Sequence, residues 1–250
     1  MTLPIAIISD VHGNTWALDA VLADIQRRGL STILNLGDSV YGSLDPAGAA
    51  ERLMTHCALS ISGNQDRIVH TPDAATRQSP DFHFVTSRLS VAQIDWLAGL
   101  PNCAQFGSIF CCHGTPTSDE TYLLEEVSQH GISLRDSELV LQAIGKIDSE
   151  VIVCGHSHVA RTVWLPNGQL VVSPGSVGIP AYDHDQPFLH VMESGSPHAR
   201  YAILSKNEHG WQVEQIAVPY DWHAAAAVAR QNGRADRASW IETGRARLGD

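Results

Sequence analysis

The stretch IAIISDVHGN, residues 5–14, is a short apolar run that ends in a carboxylate and an imidazole two positions apart, Asp10 and His12. A strand that is buried on both faces of a parallel sheet has such a continuous apolar run. Open α/β sheets place their ligand sites just beyond the carboxyl ends of their strands. The stretch therefore predicts a buried first strand that carries Asp10 and His12 into a functional site.

Three more short apolar runs repeat this arrangement, and a further run is compatible with it. Each run is followed by residue types that bind metals or phosphates. The four runs and their ends are 32–36 before Gly37-Asp38, 58–61 before GNQD (63–66), 109–112 before His113, and 151–154 before GHSH (155–158). Because parallel strands present their carboxyl ends at one edge of a sheet, we expect these polar side chains at a common edge.

Apolar residues at helical spacing lie between the first strands, so the opening is a β-α-β unit. The helix boundaries are marked by N-capping residues, by a proline in the first turn and by glycine stops. The predicted helices are 14–28 before Gly29, 45–55 beginning at Asp45-Pro46, the segment from Ser90 to Gly99 with Ser90 and Gln93 as a capping box, and 137–146.

Two long polar segments interrupt this pattern. Residues 66–88 contain two prolines and many charges and are predicted to be an irregular loop over a site, and residues 115–131 a loop with a short helix over 120–127. After residue 151, strand-like segments recur closely, which indicates the far, largely antiparallel side of a sandwich. The C-terminal tail, 222–248, is predicted to be helical with a break at Gly233.

These elements predict an α/β fold in which two sheets form a sandwich flanked by helices on both faces. No linker of low complexity divides the chain, so we expect one domain over 1–250. At this length the chain can bury most of its apolar surface.

The composition limits the function classes. The chain has 16 basic and 27 acidic residues, a net charge of −11, which argues against binding to a nucleic acid duplex. No stretch approaches the roughly 20 apolar residues of a membrane span, and no basic region precedes an apolar core at the N-terminus. We therefore expect a cytoplasmic protein without a membrane partner. The five cysteines are predicted to be buried thiols rather than a disulfide framework.

Seven polar side chains at predicted strand ends indicate a metal site. Imidazoles and carboxylates bind manganese, iron, zinc or cobalt, and the lack of cysteine in the set argues against a closed structural zinc site. Seven ligands exceed the need of one ion, and one shared carboxylate would complete two open sites of the kind that catalyse phosphoryl displacement. The seven candidate ligands are Asp10, His12, Asp38, Asn64, His113, His156 and His158.

The ordered motifs DVH, GDSVYG, GNQD, HG and GHSH over residues 10–158 resemble the signature of the calcineurin-like metallophosphoesterase superfamily. The ISDVHGN opening, the SPGSVG turn (173–178) and the VPYD segment (218–221) look like its bacterial branch related to diadenosine tetraphosphatases. The resemblance implies a two-sheet sandwich and hydrolysis of a small phosphorylated substrate such as a nucleotide or dinucleotide. Phosphodiester, phosphomonoester and nucleotide pyrophosphate bonds all remain candidates.

The resemblance also implies how the ligands divide. One metal would be bound by Asp10, His12, Asp38 and His158, and the other by Asp38, Asn64, His113 and His156. Asp38 would bridge the two ions, and a hydroxide held between them would attack phosphorus in line. Manganese is the expected metal, with iron, zinc, cobalt and nickel as alternatives. The oligomeric state is left open.

The chain departs from the family pattern at Gln65, where many members have a histidine that contacts phosphate or protonates the leaving group. Glutamine donates hydrogen bonds but delivers no proton at neutral pH. Asp38, Asn64, Gln65 and Asp66 are the candidate catalytic residues, with Asp66 either orienting the site or capping the next segment. Arg67, together with Asn64, is a candidate for binding substrate phosphate, and its alternative is an exposed loop arginine.

Two hypotheses about function other than a small-molecule phosphoesterase remain. One branch of the resembling superfamily is a protein-binding scaffold, so a non-catalytic metal-binding module is an alternative. A protein serine/threonine phosphatase is the other, although the motifs contain few basic residues for a phosphopeptide. Among the remaining histidines, His70 and His184 follow predicted site loops and are the two with a candidate site role.

Overall fold

Two five-stranded sheets pack face to face in the computed structural model, which describes residues 2–248. Across the first sheet the strands are β14 (Gly210–Val218), β13 (Ala199–Asn207), β1 (Thr2–Ile8), β2 (Thr32–Asn35) and β3 (Leu59–Ser60). Across the second they are β4 (Cys103–Phe106), β5 (Ile109–Cys112), β8 (Val151–Val153), β10 (Leu170–Pro174) and β9 (Ala160–Trp164). The two-sheet α/β fold predicted from the sequence is confirmed.

Parallel pairing joins three strands in each sheet. Strands β1, β2 and β3 run parallel, with β3 at one edge, and strands β5, β8 and β10 run parallel in the second sheet. Antiparallel pairs complete the other edge of the first sheet and both edges of the second. The prediction that all strands after residue 151 form one largely antiparallel far side is wrong. Instead β8, β9 and β10 join the second sheet, β13 and β14 extend the first, and β11 (Ala181–His184) pairs with β12 (His190–Glu193) in a separate ribbon. Alternation along a strand identifies its buried face but not its partner.

The apolar runs of the predicted strands form the core between the sheets. Ile7 and Leu34 of the first sheet belong to one buried cluster with Val153 and Val172 of the second. Complete burial of one such side chain stabilises the fold by roughly 1.5–3 kcal/mol. The same packing holds the strand ends, and the polar residues that follow them, in a rigid frame.

Within the described residues eight α-helices cover the sheets and the strand ends, and two begin at the predicted N-caps, Asp45 and Ser90. The side chains of Asn14, Asp45 and Ser90 accept hydrogen bonds from backbone N–H groups in the first turns of their helices. The helices are α1 (Thr15–Arg27), α2 (Pro46–His56), α3 (Asn64–His70), α4 (Pro80–Thr86), α5 (Val91–Ala98), α6 (Ser137–Ile144), α7 (Trp222–Gln231) and α8 (Ala235–Thr243). Within residues 2–248 no helix combines the length and apolar character needed to cross a membrane.

Two local predictions are wrong. The segment 66–88 is not irregular, because it contains most of α3, a short 3-10 turn and α4, whose apolar residues pack under the loop after β2. The short helix predicted over 120–127 is absent from the described chain. Its second half is instead the strand β6 (Glu125–Ser128), which pairs with β7 (Gly131–Leu134). Glu125 is buried and accepts a hydrogen bond from Arg161, a distant contact that outweighs helix propensity.

Candidate metal centre

The polar side chains at the strand ends come together in two adjoining groups. Each group offers one ligating atom per residue, and within a group these atoms all lie within 4.8 Å of one another. The two groups are Asp10, His12 and His158, and Asp38, His113 and His156. Both match the two ligand sets predicted from the sequence, apart from Asp38 in the first set and Asn64 in the second.

Asp38 joins the two groups. Its Oδ1 accepts a hydrogen bond from the backbone N–H of Gln65 at 2.9 Å. The other oxygen, Oδ2, lies 3.5 Å from His113 Nε2 and 4.0 Å from His12 Nε2. Asn64 Oδ1 lies 3.2 Å from the same His113 nitrogen. Asp38 therefore presents one oxygen to both groups, as a bridging ligand would, and Asn64 adjoins the second group.

Backbone carbonyls set which ring nitrogen of each histidine faces the cluster. Nδ1 of three rings contacts a carbonyl oxygen, so Nδ1 carries a proton and Nε2 is the nitrogen turned toward the cluster. His156 is reversed, because its Nε2 contacts the carbonyl of Glu120 at 3.1 Å. The three Nδ1 pairs are His12 with Tyr41 at 2.9 Å, His113 with Leu36 at 2.8 Å and His158 with Ile179 at 2.6 Å.

Several of these atoms face a neighbour that is itself an acceptor. The Nε2 atoms of His12 and His158 are 3.1 Å apart, yet both carry lone pairs because their protons are on Nδ1. Oδ1 of Asp10 is fully buried without a hydrogen bond and lies 3.3 Å from His158 Nε2. Opposed lone pairs and an orphaned carboxylate oxygen cost free energy unless a cation lies between them. The donor set thus fits divalent metal ions.

The backbone is strained at the same residues. Within residues 2–248, the non-glycine residues with left-handed φ angles are all candidate ligands. Each such conformation costs about 1–3 kcal/mol and is typical of functional sites. These residues and their φ angles are Asp10 (56°), His12 (50°), Asp38 (54°), His156 (69°) and His158 (59°).

Charge within the cluster shifts the pKa values in opposite directions. Burial lowers the pKa of His12 and of His156 to about 4, which keeps both rings neutral. Burial also opposes a charge on His113, but the carboxylates of Asp38 and Asp10 outweigh it and raise its pKa to about 10. The two carboxylates therefore stabilise the protonated form of His113. Metal ions would compete with this proton for the ring nitrogen.

Asp66 connects the two loops that carry Asp38 and Asn64. It is fully buried, and its oxygens accept hydrogen bonds from the backbone N–H groups of Ser39 at 2.9 Å and Gly63 at 3.1 Å. Burial and the nearby Asp38 raise its pKa to about 7. This geometry contains both predicted roles of Asp66, because its bond with the N–H of Gly63 caps the start of α3 and its bond with the N–H of Ser39 ties the loop after β2 to that helix.

Arg67 and Gln65 lie on different sides of α3. The guanidinium of Arg67 donates hydrogen bonds to Asp119 at 2.7 Å and to Glu120 at 2.7 Å, and its role in binding phosphate stays a prediction. Gln65 lines a cavity of about 420 Å³ over the metal cluster, and its Oε1 is buried without a partner. His184 also lines this cavity, whereas His70 lies at the end of α3.

Some residues at this cavity were not identified from the sequence. The hydroxyl of Tyr182 on β11 donates to the carbonyl of His156 at 2.9 Å, and its ring packs edge-on against His158. Arg234, Arg237 and Trp240 bring the C-terminal region to the same cavity. No local motif marks these residues, because contacts between distant segments place them there.

Comparison with known proteins identifies a matching family. Residues 3–194 match the family model of the calcineurin-like phosphoesterase superfamily domain. An uncharacterized protein of Methanocaldococcus jannaschii is 45% identical over 62 residues, which are 25% of this chain and 26% of that protein. The chain thus matches about a quarter of this curated relative.

Solved structures share the fold. A metallophosphoesterase from Sphaerobacter thermophilus is 24% identical, with a TM-score of 0.73 over 95% of this chain and 99% of that chain. A hypothetical protein from Pyrococcus horikoshii is 16% identical, with a TM-score of 0.71 over 98% and 100%. A candidate diadenosine tetraphosphatase is 16% identical, with a TM-score of 0.54 over 88% and 95%. At these identities the likeness concerns the fold alone.

Proposed function

This chain belongs to the calcineurin-like phosphoesterase superfamily, and from that premise we propose that it is a dinuclear metal-dependent phosphoesterase of small phosphorylated substrates. The bond would be a phosphodiester, a phosphomonoester or a nucleotide pyrophosphate. The observation that carries this proposal is the pair of donor groups that Asp38 joins, with opposed imidazole lone pairs and the orphaned Asp10 oxygen. Manganese is the proposed metal, with iron, zinc, cobalt and nickel as alternatives.

The residues of the chain have distinct parts in this proposal. Asp10, His12, Asp38, Asn64, His113, His156 and His158 would hold the ions. Bound there, two divalent cations lower the pKa of a shared water and neutralise charge on the phosphoryl oxygens. The proposed reaction is direct attack of water on phosphorus, without a covalent phosphoenzyme.

The proposal is tested by hydrolysis of bis(p-nitrophenyl) phosphate. Protein stripped with a chelator is expected to be inactive, and added Mn²⁺ is expected to restore turnover because the donor groups bind the metal that the chemistry requires. The release of p-nitrophenolate is measured with the chelator alone as the control. Folded protein that stays inactive with every divalent metal tried would contradict the phosphoesterase and favour the non-catalytic scaffold.

Gln65 predicts the choice of leaving group. Gln65 lines the cavity and its amide cannot protonate an alkoxide, so aryl esters and nucleotide phosphates should react better than alkyl esters. Gln65→His is expected to raise the rate for an alkyl ester relative to an aryl ester by roughly tenfold or more, since general acid catalysis contributes about 10²–10⁴. The measurement compares kcat/KM for methyl p-nitrophenyl phosphate, which has an aryl leaving group, with kcat/KM for dimethyl phosphate, which has the same charge and an alkyl leaving group. An unchanged ratio would contradict the role of Gln65 in the choice of leaving group.

A further inference from the structure

Helix α8 forms one wall of the cavity that opens over the candidate metal centre. The cavity of about 420 Å³ is lined on one side by His12, Asp38 and His158, and on another by Arg237 and Trp240. These two residues are three positions apart, so they lie on the same face of the helix. Helix α8 lies beyond residues 3–194, the part of the chain that matches the family model.

Arg237 and Trp240 bring unsatisfied donors to this wall. Arg237 is 9% exposed, and its Nη2 donates to Asp81 at 2.9 Å, whereas its buried Nη1 has no hydrogen-bond partner in the described chain. The indole Nε1 of Trp240, which is 6% exposed, is equally without a partner. Buried donors of this kind are rare in folded proteins and call for an explanation.

The surroundings of Arg237 hold its guanidinium in one orientation. Asp81 on α4 also binds Arg234, and Arg234 pairs with Asp236. Two guanidiniums thus meet two carboxylates, and both oxygens of Asp236 are taken by one arginine. The Nη1 atom of Arg237 is left over from this network, and the indole N–H of Trp240, which lines the same cavity, is also without a partner in the described chain.

Gln65 contributes the complementary group. Gln65 lines the same cavity, and its Oε1 is buried without a partner in the described chain. A ligand that satisfies all three residues would present acceptor oxygens to Arg237 and Trp240 and a hydroxyl donor to Gln65. A phosphate group attached to a polyol, such as a nucleotide, has this combination, and arginine with its planar fork is well suited to phosphate.

We propose that Arg237 and Trp240 form an anion-binding subsite for a second phosphate group of the substrate, beside the phosphoryl group that reacts at the metal centre. The inference rests on the proposed function and narrows its substrate class. Substrates are then phosphate esters that carry a further phosphate, of the nucleotide bisphosphate or polyphosphate type, rather than simple diesters.

A matched pair of chromogenic substrates tests the subsite. Thymidine 5′-(p-nitrophenyl phosphate) and its 3′-phosphorylated counterpart have the same leaving group and differ by one phosphate. The full-length Mn²⁺ protein is expected to prefer the 3′-phosphorylated ester in kcat/KM by roughly tenfold, the effect of a charge-assisted contact. Arg237→Gln and Trp240→Phe are expected to lower this preference at least threefold, because each removes one donor.

Arg230→Gln is the control, since Arg230 is exposed on α7 and pairs with Glu242 away from the cavity. It should keep the wild-type preference. Arg237→Gln also breaks the contact with Asp81 and could prevent folding. In that case the test depends on Trp240→Phe, which keeps an aromatic ring. A preference that is absent in the wild type, or unaltered in the folded variants, overturns the subsite.

Calorimetric binding of inorganic pyrophosphate to chelator-stripped protein separates the subsite from the reaction. Wild type is expected to bind it at least tenfold more tightly than Trp240→Phe and Arg237→Gln. Equal binding in wild type and variants, or none in wild type, overturns the subsite. If pyrophosphate binds in this pattern but no ester is hydrolysed with any metal, the subsite is supported and the proposed hydrolase fails instead.

Discussion

Asp38→Ala is expected to lower kcat for bis(p-nitrophenyl) phosphate by roughly 10³-fold or more, because both metal sites of the proposed dinuclear centre would lose their common ligand at once. Oδ2 of Asp38 is the carboxylate oxygen that faces both His113 and His12. Oδ1 also accepts the N–H of Gln65, which fixes the start of α3 relative to the loop after β2. Alanine therefore removes a ligand and an anchor of the neighbouring loop.

The number of bound metal ions tests the loss of the shared ligand directly. Elemental analysis after dialysis against Mn²⁺ is expected to find two ions per wild-type chain and fewer than one in Asp38→Ala. Asp95→Ala is the matched control, because Asp95 is an exposed carboxylate on α5, and it should keep both ions and full activity. Two bound ions with undiminished turnover in Asp38→Ala would show that Asp38 does not bridge the ions.

The strand ends could be predicted because their signals are local. An apolar run of four or five residues determines a buried strand, and the next residue must then lie at the edge of the sheet. Asp10, His113 and His156 needed no further information to be placed there. The left-handed backbone at Asp10 and His156 was not predictable, since a non-glycine residue seldom adopts it without surrounding structure that enforces it.

The cavity walls could not be predicted because their residues meet across long distances in the chain. Arg237 contacts Asp81 across 156 residues, and nothing in the helical sequence ADRASWIET distinguishes an arginine that faces a cavity from one that faces water. The same reason explains the error at 120–127. Its glutamate-rich composition favours a helix, but burial of Glu125 against Arg161 favours the hairpin.

Gly37→Ala is expected to destabilise the fold by at least about 3 kcal/mol and to abolish activity. Gly37 has a φ of +96°, and a Cβ there would lie 2.3 Å from the backbone nitrogen of Gly63, a contact that real Cβ atoms do not make. The carbonyl of Gly37 also accepts the N–H of Asp10 at 3.0 Å. Relief of the clash must therefore move the loops that carry Asp10, Asp38 and Asn64 apart.

Gly107→Ala isolates the steric part of this effect, which is measured by urea unfolding. Gly107 also has a positive φ, +58°, but a Cβ there would meet nothing within 4 Å. Its substitution carries only the conformational cost of the left-handed region, about 1–2 kcal/mol. A difference below about 1 kcal/mol between the two variants would show that the loops after β2 and β3 can separate freely. The close contact of Gly37 and Gly63 would then not be what holds the ligands of the two metal groups together.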